Sequence, residues 1–129
     1  MLIDKDSLII NDTKIAQYLI SVHFGYHKIW SSDSGRTLSG DNKGSLKGIY
    51  PKITMTFRKL NEEEIAILLN IFNKAEQKVT FYNPDLKKTI YEASFYSNDQ
   101  EFDQTRFGRV KNYSASVISN KRREYYANS

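Results

Sequence analysis

Apolar and polar positions alternate most clearly between Tyr50 and Tyr82, where the chain reads strand, helix, strand. Ile53, Met55 and Phe57 alternate with Thr54, Thr56 and Arg58, the period-two pattern of a half-buried strand. Asn61 then stands at a helix N-cap, with Glu62, Glu63 and Glu64 in the first turn, where free amides and the helix dipole favour carboxylates. Asn61 and Glu64 are also at capping-box spacing. Ile65, Leu68, Leu69, Phe72 and Ala75, widened by Ile71, form one apolar stripe and predict a helix over about 61–76. Val79, Phe81 and Tyr82 return to a strand pattern.

The flanks add further strands. Ser7–Ile10 and Thr13–Ile15, joined by Asn11-Asp12, predict a short hairpin or a kinked strand. Ile20, Val22, Phe24 and Tyr26 share one face of a long strand ending near Trp30, with Ser21, His23, Gly25 and His27 on the other. Asn83-Pro84-Asp85 is a turn that pairs Lys78–Tyr82 with Lys88–Tyr96, and in that second strand Tyr91, Ala93 and Phe95 are expected to face the core. Ser97 to Asn112 reads as an exposed loop holding Gly108. Tyr113, Ala115 and Val117 mark a last strand, and 120–129 a polar tail. The expected fold class is α+β: a mainly antiparallel β-sandwich or barrel with one packed helix, the whole of 1–129 fitting one domain.

Between Ser31 and Gly48 the hydrophobic pattern stops. This segment holds four of the six glycines and only two apolar residues, Leu38 and Leu46. A phosphate cradle would need glycines spaced as in GxGxxG or GxxxxGK[ST] ahead of a helix; Gly35, Gly40, Gly44 and Gly48 fit neither, and a strand follows. A disordered linker would leave too little chain before it for a separate domain. The preferred reading is an extended arm over 31–48 that orders on a neighbouring subunit, with Leu38 and Leu46 as anchors.

Composition narrows the chemistry. There is no cysteine, which removes disulfides, thiolate catalysis and most structural zinc sites. No apolar run approaches the roughly 20 residues that span a bilayer, and the start MLIDKDSLII carries acids where a signal peptide needs a basic flank. A protein kept or assembled in a cytoplasm, away from membranes, is the expectation. Nine Tyr and seven Phe favour strands. His23 and His27 lie about 13 Å apart on one strand face, too far to share a metal ion. Glu62 to Glu64 are explained by the helix end, and no Gly-x-Ser-x-Gly elbow is present. No enzyme activity, cofactor or metal is therefore expected. Charge is uneven: residues 105–129 hold Arg106, Arg109, Lys111, Lys121, Arg122 and Arg123 against Glu124 alone, whereas 78–104 is acidic. Two readings follow for the basic end. Either it is a solvated terminus or one that docks on an acidic surface of another copy, or it belongs to a small nucleic-acid-binding β-barrel that uses Arg106, Arg109 and Lys111. The first is preferred.

The order of these elements resembles a known group. A long first strand is followed by a loop of the form R-T-L-S-G-x-x-x-G and a strand YPKITMTF. The helix LNEEEIAILLNIF comes next, then KVTFYNPDLKKTIYEASFYS and a closing strand YSASVIS. Over roughly residues 18–120 this is similar to small tail proteins of phages and prophages of low-GC Gram-positive bacteria. The resemblance implies a tail-tube-like fold and a virion structural protein of the tail tube, distal tail, tail tip or baseplate. It further implies a homo-oligomer closing into a six-fold ring (a hexamer), assembled in the host bacterial cytoplasm. Its partners would be copies of itself and other phage tail proteins, with no cofactor, no membrane and no specific nucleic acid. The group offers no catalytic residues to carry over. On this reading the subunit interface falls on Trp30, Arg36, Leu38, Leu46, Arg106 and Arg109.

Overall fold

Alternating side chains become strands only where a neighbouring strand completes their hydrogen bonds. The computed structural model describes residues 8–30, 35–36, 42–43 and 46–128, and it brings seven strands into one antiparallel sheet. In chain order the elements are β1 (Ile9–Ile10), β2 (Thr13–Lys14), a 3-10 turn (Ala16–Tyr18), β3 (Leu19–Trp30), β4 (Gly35–Arg36), β5 (Asn42–Lys43) and β6 (Leu46–Phe57). They continue with α1 (Glu62–Phe72), β7 (Gln77–Asn83), β8 (Lys88–Ser97), β9 (Asp103–Gln104), β10 (Val110–Lys111), β11 (Ser114–Ser119) and α2 (Arg123–Ala127). The main sheet runs β2-β1-β7-β8-β11-β6-β3, while β4–β5 and β9–β10 form separate two-stranded ladders. The fold is thus α+β, mostly antiparallel strand with a small helical part.

The sheet curls on itself. Phe24 of β3 stacks on Phe81 of β7, with ring centroids 6.0 Å apart, although the two strands stand four places apart in the sheet order. Inside the curl lie Ile53, Met55 and Phe57 of β6, Ala115 and Val117 of β11, Phe95 of β8 and Val79 of β7, all buried. Phe57 stacks on the fully buried Tyr113 at 4.8 Å and meets Phe72 of α1 edge-on at 6.1 Å. Burial pushes the Tyr113 phenol pKa well above its ordinary value; its hydroxyl donates to Gln100 Oε1.

The local chemistry read from the sequence is present at α1. Asn61 Oδ1 accepts from the Glu64 amide at 2.8 Å, and Glu64 Oε1 accepts from the Asn61 amide at 3.1 Å, a complete capping box. Ile65, Leu68, Ile71 and Phe72 are buried. Asn11 and Asp12, at φ 49° and 65°, make the β1–β2 turn with both central residues left-handed, which suits a tight hairpin. Asn83 Oδ1 accepts from the amides of Asp85 and Leu86 and closes the β7–β8 turn.

Five expectations are corrected. The helix stops at Phe72, not near 76, because β7 starts at Gln77 and side chains take the place of a further turn. Gln77 Nε2 donates to the Ile71 and Lys74 carbonyls and Ser97 Oγ to that of Phe72, leaving Ala75 outside the helix and exposed. Tyr91 is not core; it is 75% exposed. Thr80 faces two residues of β8, Tyr91 and Glu92, and Glu92 takes φ 47° with its amide on Thr80 Oγ1. This bulge shifts the alternation, so Ile90 and then Ala93 and Phe95 point inward. A second irregularity, between Leu19 and Ser21, turns Ile20 outward to 70% exposure, off the face it was expected to share with Val22 and Phe24. The segment 31–48 is not structureless throughout: β4 pairs with β5 inside it, and β6 begins at Leu46 because β3 supplies the ladder. Finally, 120–129 is not a loose tail. It carries α2, with Tyr126 buried against Phe81 and its hydroxyl bonded to that of Ser119.

Candidate functional site

Two ends of β6 organise the exposed surface. The β6–β11 ladder covers only Lys52 to Thr56, but the β6–β3 ladder continues to Leu46 opposite Trp30. Beyond Lys52 the two strands therefore project as a ribbon. Its base is covered by α2, and a Cβ on Gly48 would lie 2.8 Å from Tyr50 Cε2 and 3.1 Å from Arg122 Nε, so a larger residue there would have to push these two side chains aside. Its outer part is exposed, with Trp30 at 44% and Leu46 at 41%, beside Ile29 and the exposed Lys28 and Lys47. Two of the residues predicted for an interface, Trp30 and Leu46, are thereby brought together as cross-strand partners. Arg36 lies on β4, opposite Asn42, and Leu38 lies outside the described residues.

The other predicted pair sits at the opposite end. Leu60 pairs with Val110 just after β6 ends, which fixes the β9–β10 hairpin beside the start of α1. Arg106 and Arg109 are exposed in its turn, next to Phe107 at 85% exposure and Gly108 at φ 73°. The twelve residues of β6 place the two ends about 37 Å apart at roughly 3.4 Å per residue. Arg106 and Arg109 thus belong to a different surface from Trp30 and Leu46. The exposed-loop reading of 97–112 holds for the hairpin tip but not for Val110, which is buried, or Phe102, which packs on the core.

Charge at this far end is mixed. Arg58 donates to both Glu64 carboxylate oxygens, at 3.3 and 2.6 Å, and with the Asn61 amide holds that carboxyl pKa below its ordinary value; Arg109 adds a smaller pull. A groove of about 600 Å³ lies alongside, lined by Asn98, Asp99, Glu101, Asn112 and Ser114. Asn112 Nδ2 donates to Asp103 at 2.9 Å and braces its rim. A second groove, of about 510 Å³, runs between β8 and α2, where Tyr91 and Tyr125 stand exposed and the Lys121 ammonium sits 5.5 Å over the Tyr125 ring.

The side-chain network that fastens α2 has no local signal in the sequence. Tyr26 of β3 donates to Asp85 Oδ2 at 2.6 Å, and Arg123 of α2 pairs with the same oxygen. The three residues come from elements up to 97 positions apart in the numbering. Burial, then Asp85, raises the Tyr26 pKa, while Arg123 and Tyr26 lower that of Asp85. The arrangement latches β3, the β7–β8 turn and α2 together.

Among the described residues no three His, Asp or Glu side chains gather in a way that would hold a metal ion. His23 and His27 are exposed on β3, opposite Thr54 and Tyr50. No described helix is long and apolar enough to cross a membrane. What this surface presents is exposed aromatic and aliphatic groups flanked by charge, on strands held by ladders on one or both sides. Comparison with known protein families, with curated proteins and with solved structures gives no match.

Proposed function

We propose that the chain is a self-assembling structural subunit, of the kind that builds a phage tail tube, tail tip or baseplate as a six-fold ring inside the virion. The observation that carries this reading is the β3–β6 ribbon. It extends past the end of the β6–β11 ladder, and Trp30 and Leu46 are exposed together on it. Large apolar groups held on a rigid projection are expensive to leave in water and are suited to burial against a partner. The order of elements, which resembles that of small phage tail proteins, supports the same reading. The rival function, a nucleic-acid-binding barrel, would need the basic residues of the β9–β10 turn to form a clean patch. Glu64, Asp103 and the Asp99–Glu101 groove stand among them, and this interleaving of opposite charge suits a protein surface better than a phosphate backbone.

The test is the mass of the purified protein in solution by light scattering, together with electron microscopy of its particles. A closed ring or stack is expected, and Trp30→Ser with Leu46→Ser should leave folded monomers. A wild-type protein that stays monomeric at high concentration, and joins no other tail component, rules the reading out.

A further inference from the structure

The backbone of β8 is bent out of regular geometry at one residue. Five non-glycine residues among those described take positive φ; Asn11, Asp12, Lys87 and Asn112 lie in turns or between strands, but Glu92, at 47°, lies inside a ladder. Asn and Asp tolerate this region through local side-chain hydrogen bonds, a relief that glutamate does not share. The bulge acts on Tyr91. Regular alternation would turn this ring inward with Ala93 and Phe95, and the shifted register leaves it in solvent instead. Outliers of this kind gather at binding and switch sites.

Tyr91 lines two grooves that adjoin. The first, of about 510 Å³, has Ile90 and Ala93 in its lining, together with Tyr125 and Tyr126 of α2. The second, of about 640 Å³, leads on toward Asn11, Asp12 and Lys74 and shares Thr89, Tyr91 and Glu92 with the first. Each is within the usual size of a small-molecule site. From this we propose that the joined grooves bind an uncharged saccharide chain, with Tyr91 and Tyr125 as its stacking platforms. This site does not depend on self-assembly.

Three kinds of chain stack on exposed aromatic rings, and the lining separates them. Single-stranded nucleic acid needs a basic track beside the rings. In the second groove Asp12 and Glu92 offset Lys74 and Lys78, and in the first the Lys121 ammonium is already seated over the Tyr125 ring. A proline-rich segment offers carbonyl acceptors and few donors, so it would leave the Asp12 and Glu92 carboxylates unanswered. A sugar unit presents an apolar C–H face to a tyrosine, and its hydroxyls both donate and accept at the rim.

The test is calorimetric titration of the full chain with hexasaccharides of β-1,4-glucose, α-1,4-glucose, β-1,4-N-acetylglucosamine and α-1,6-mannose. At least one should bind, with an affinity that added salt leaves unchanged. Tyr91→Ala and Tyr125→Ala should each weaken that binding by about tenfold, as losing one well-packed aromatic contact does. Tyr91→Phe should keep most of it, and Phe107→Ala, on the distant hairpin, all of it. Thermal melts check that each variant is folded; Tyr91 lies outside α2, so its substitution stands even if Tyr125→Ala loosens that helix. The assignment is wrong if none of the four sugars binds at millimolar concentration, or if binding ignores Tyr91→Ala. It is also wrong if oligothymidylate or a polyproline peptide binds the same tyrosines more tightly than any of the sugars.

Discussion

The two helices are held in different ways. α1 carries its own instructions: a capping box, three acids in its first turn and an apolar stripe that needs only a surface to lie on. α2 has five residues, no side-chain cap and a length at which an isolated helix does not persist in water. It is held chiefly by Tyr126, buried between Phe81 and Ser119, with the solvent-exposed Arg123–Asp85 pair as a weaker tie. α1 is secured chiefly through local sequence, α2 through tertiary contacts gathered from three other parts of the chain. One fold uses both, and only the first kind announces itself in a sequence.

Substitutions can break that contrast in graded steps. Tyr126→Ala removes the one buried side chain of α2 and should lower unfolding stability by about 4 kcal/mol, as emptying an aromatic site does; denaturant titration checks it. A change below about 1 kcal/mol would mean that α2 is a tail after all. Leu68→Ala, at a fully buried position of α1, should cost about 3 kcal/mol by the same measurement. The similar size of these two losses is the point, since it would show that a helix without local signals can be as integral as one with them. Asn61→Ala removes the cap from α1 and should cost about 1 kcal/mol, with a visible drop in helical circular dichroism; α2 has no equivalent residue to change.

Acid should loosen both helices. Glu64 and Asp85 have folded-state pKa values held below their ordinary 4.5 and 3.8 by Arg58 and Arg123. A depressed carboxylate adds stability above its unfolded pKa, and that contribution is lost as pH falls through the folded value. The melting temperature of the wild type should therefore exceed that of Asp85→Asn near neutral pH, and the gap should close as pH falls well below the ordinary carboxylate range. A gap that persisted there would mean that the Asp85 latch does not act through charge. Arg123→Ala is the mildest change of the series, because the pair is open to solvent. Its effect should be visible only at low ionic strength, in side-by-side melts.

What could be read in advance follows the same division. The strands of β6, β7 and β11, the hairpin turn at Asn11-Asp12 and the cap at Asn61 rest on neighbours a few residues away, so alternation and turn chemistry reveal them. The end of α1, the outward turn of Tyr91 and Ile20, and the start of β6 depend on which strand lies alongside, and no local pattern records that. At the candidate surface, Trp30 and Leu46 were legible as isolated large groups at the margins of a polar segment. That they face each other, and that Arg106 and Arg109 lie at the other end of the molecule, depended on the register of β3 against β6. Asp99 and Glu101 fall in a segment legible only as an exposed loop, since a groove has no sequence signature.

Pro51 gives the ribbon one further property. It sits buried where β6 loses β11 as a neighbour, opposite Tyr26 of β3, and a proline within a ladder keeps its donor-less nitrogen on the side away from its paired strand. A foreign strand sliding along that side would find a gap in the hydrogen bonds at this level. Backbone pairing, which accepts almost any sequence, is thereby discouraged just where the ribbon leaves the sheet. Any pairing along the ribbon at this level must then rest on side chains rather than on backbone.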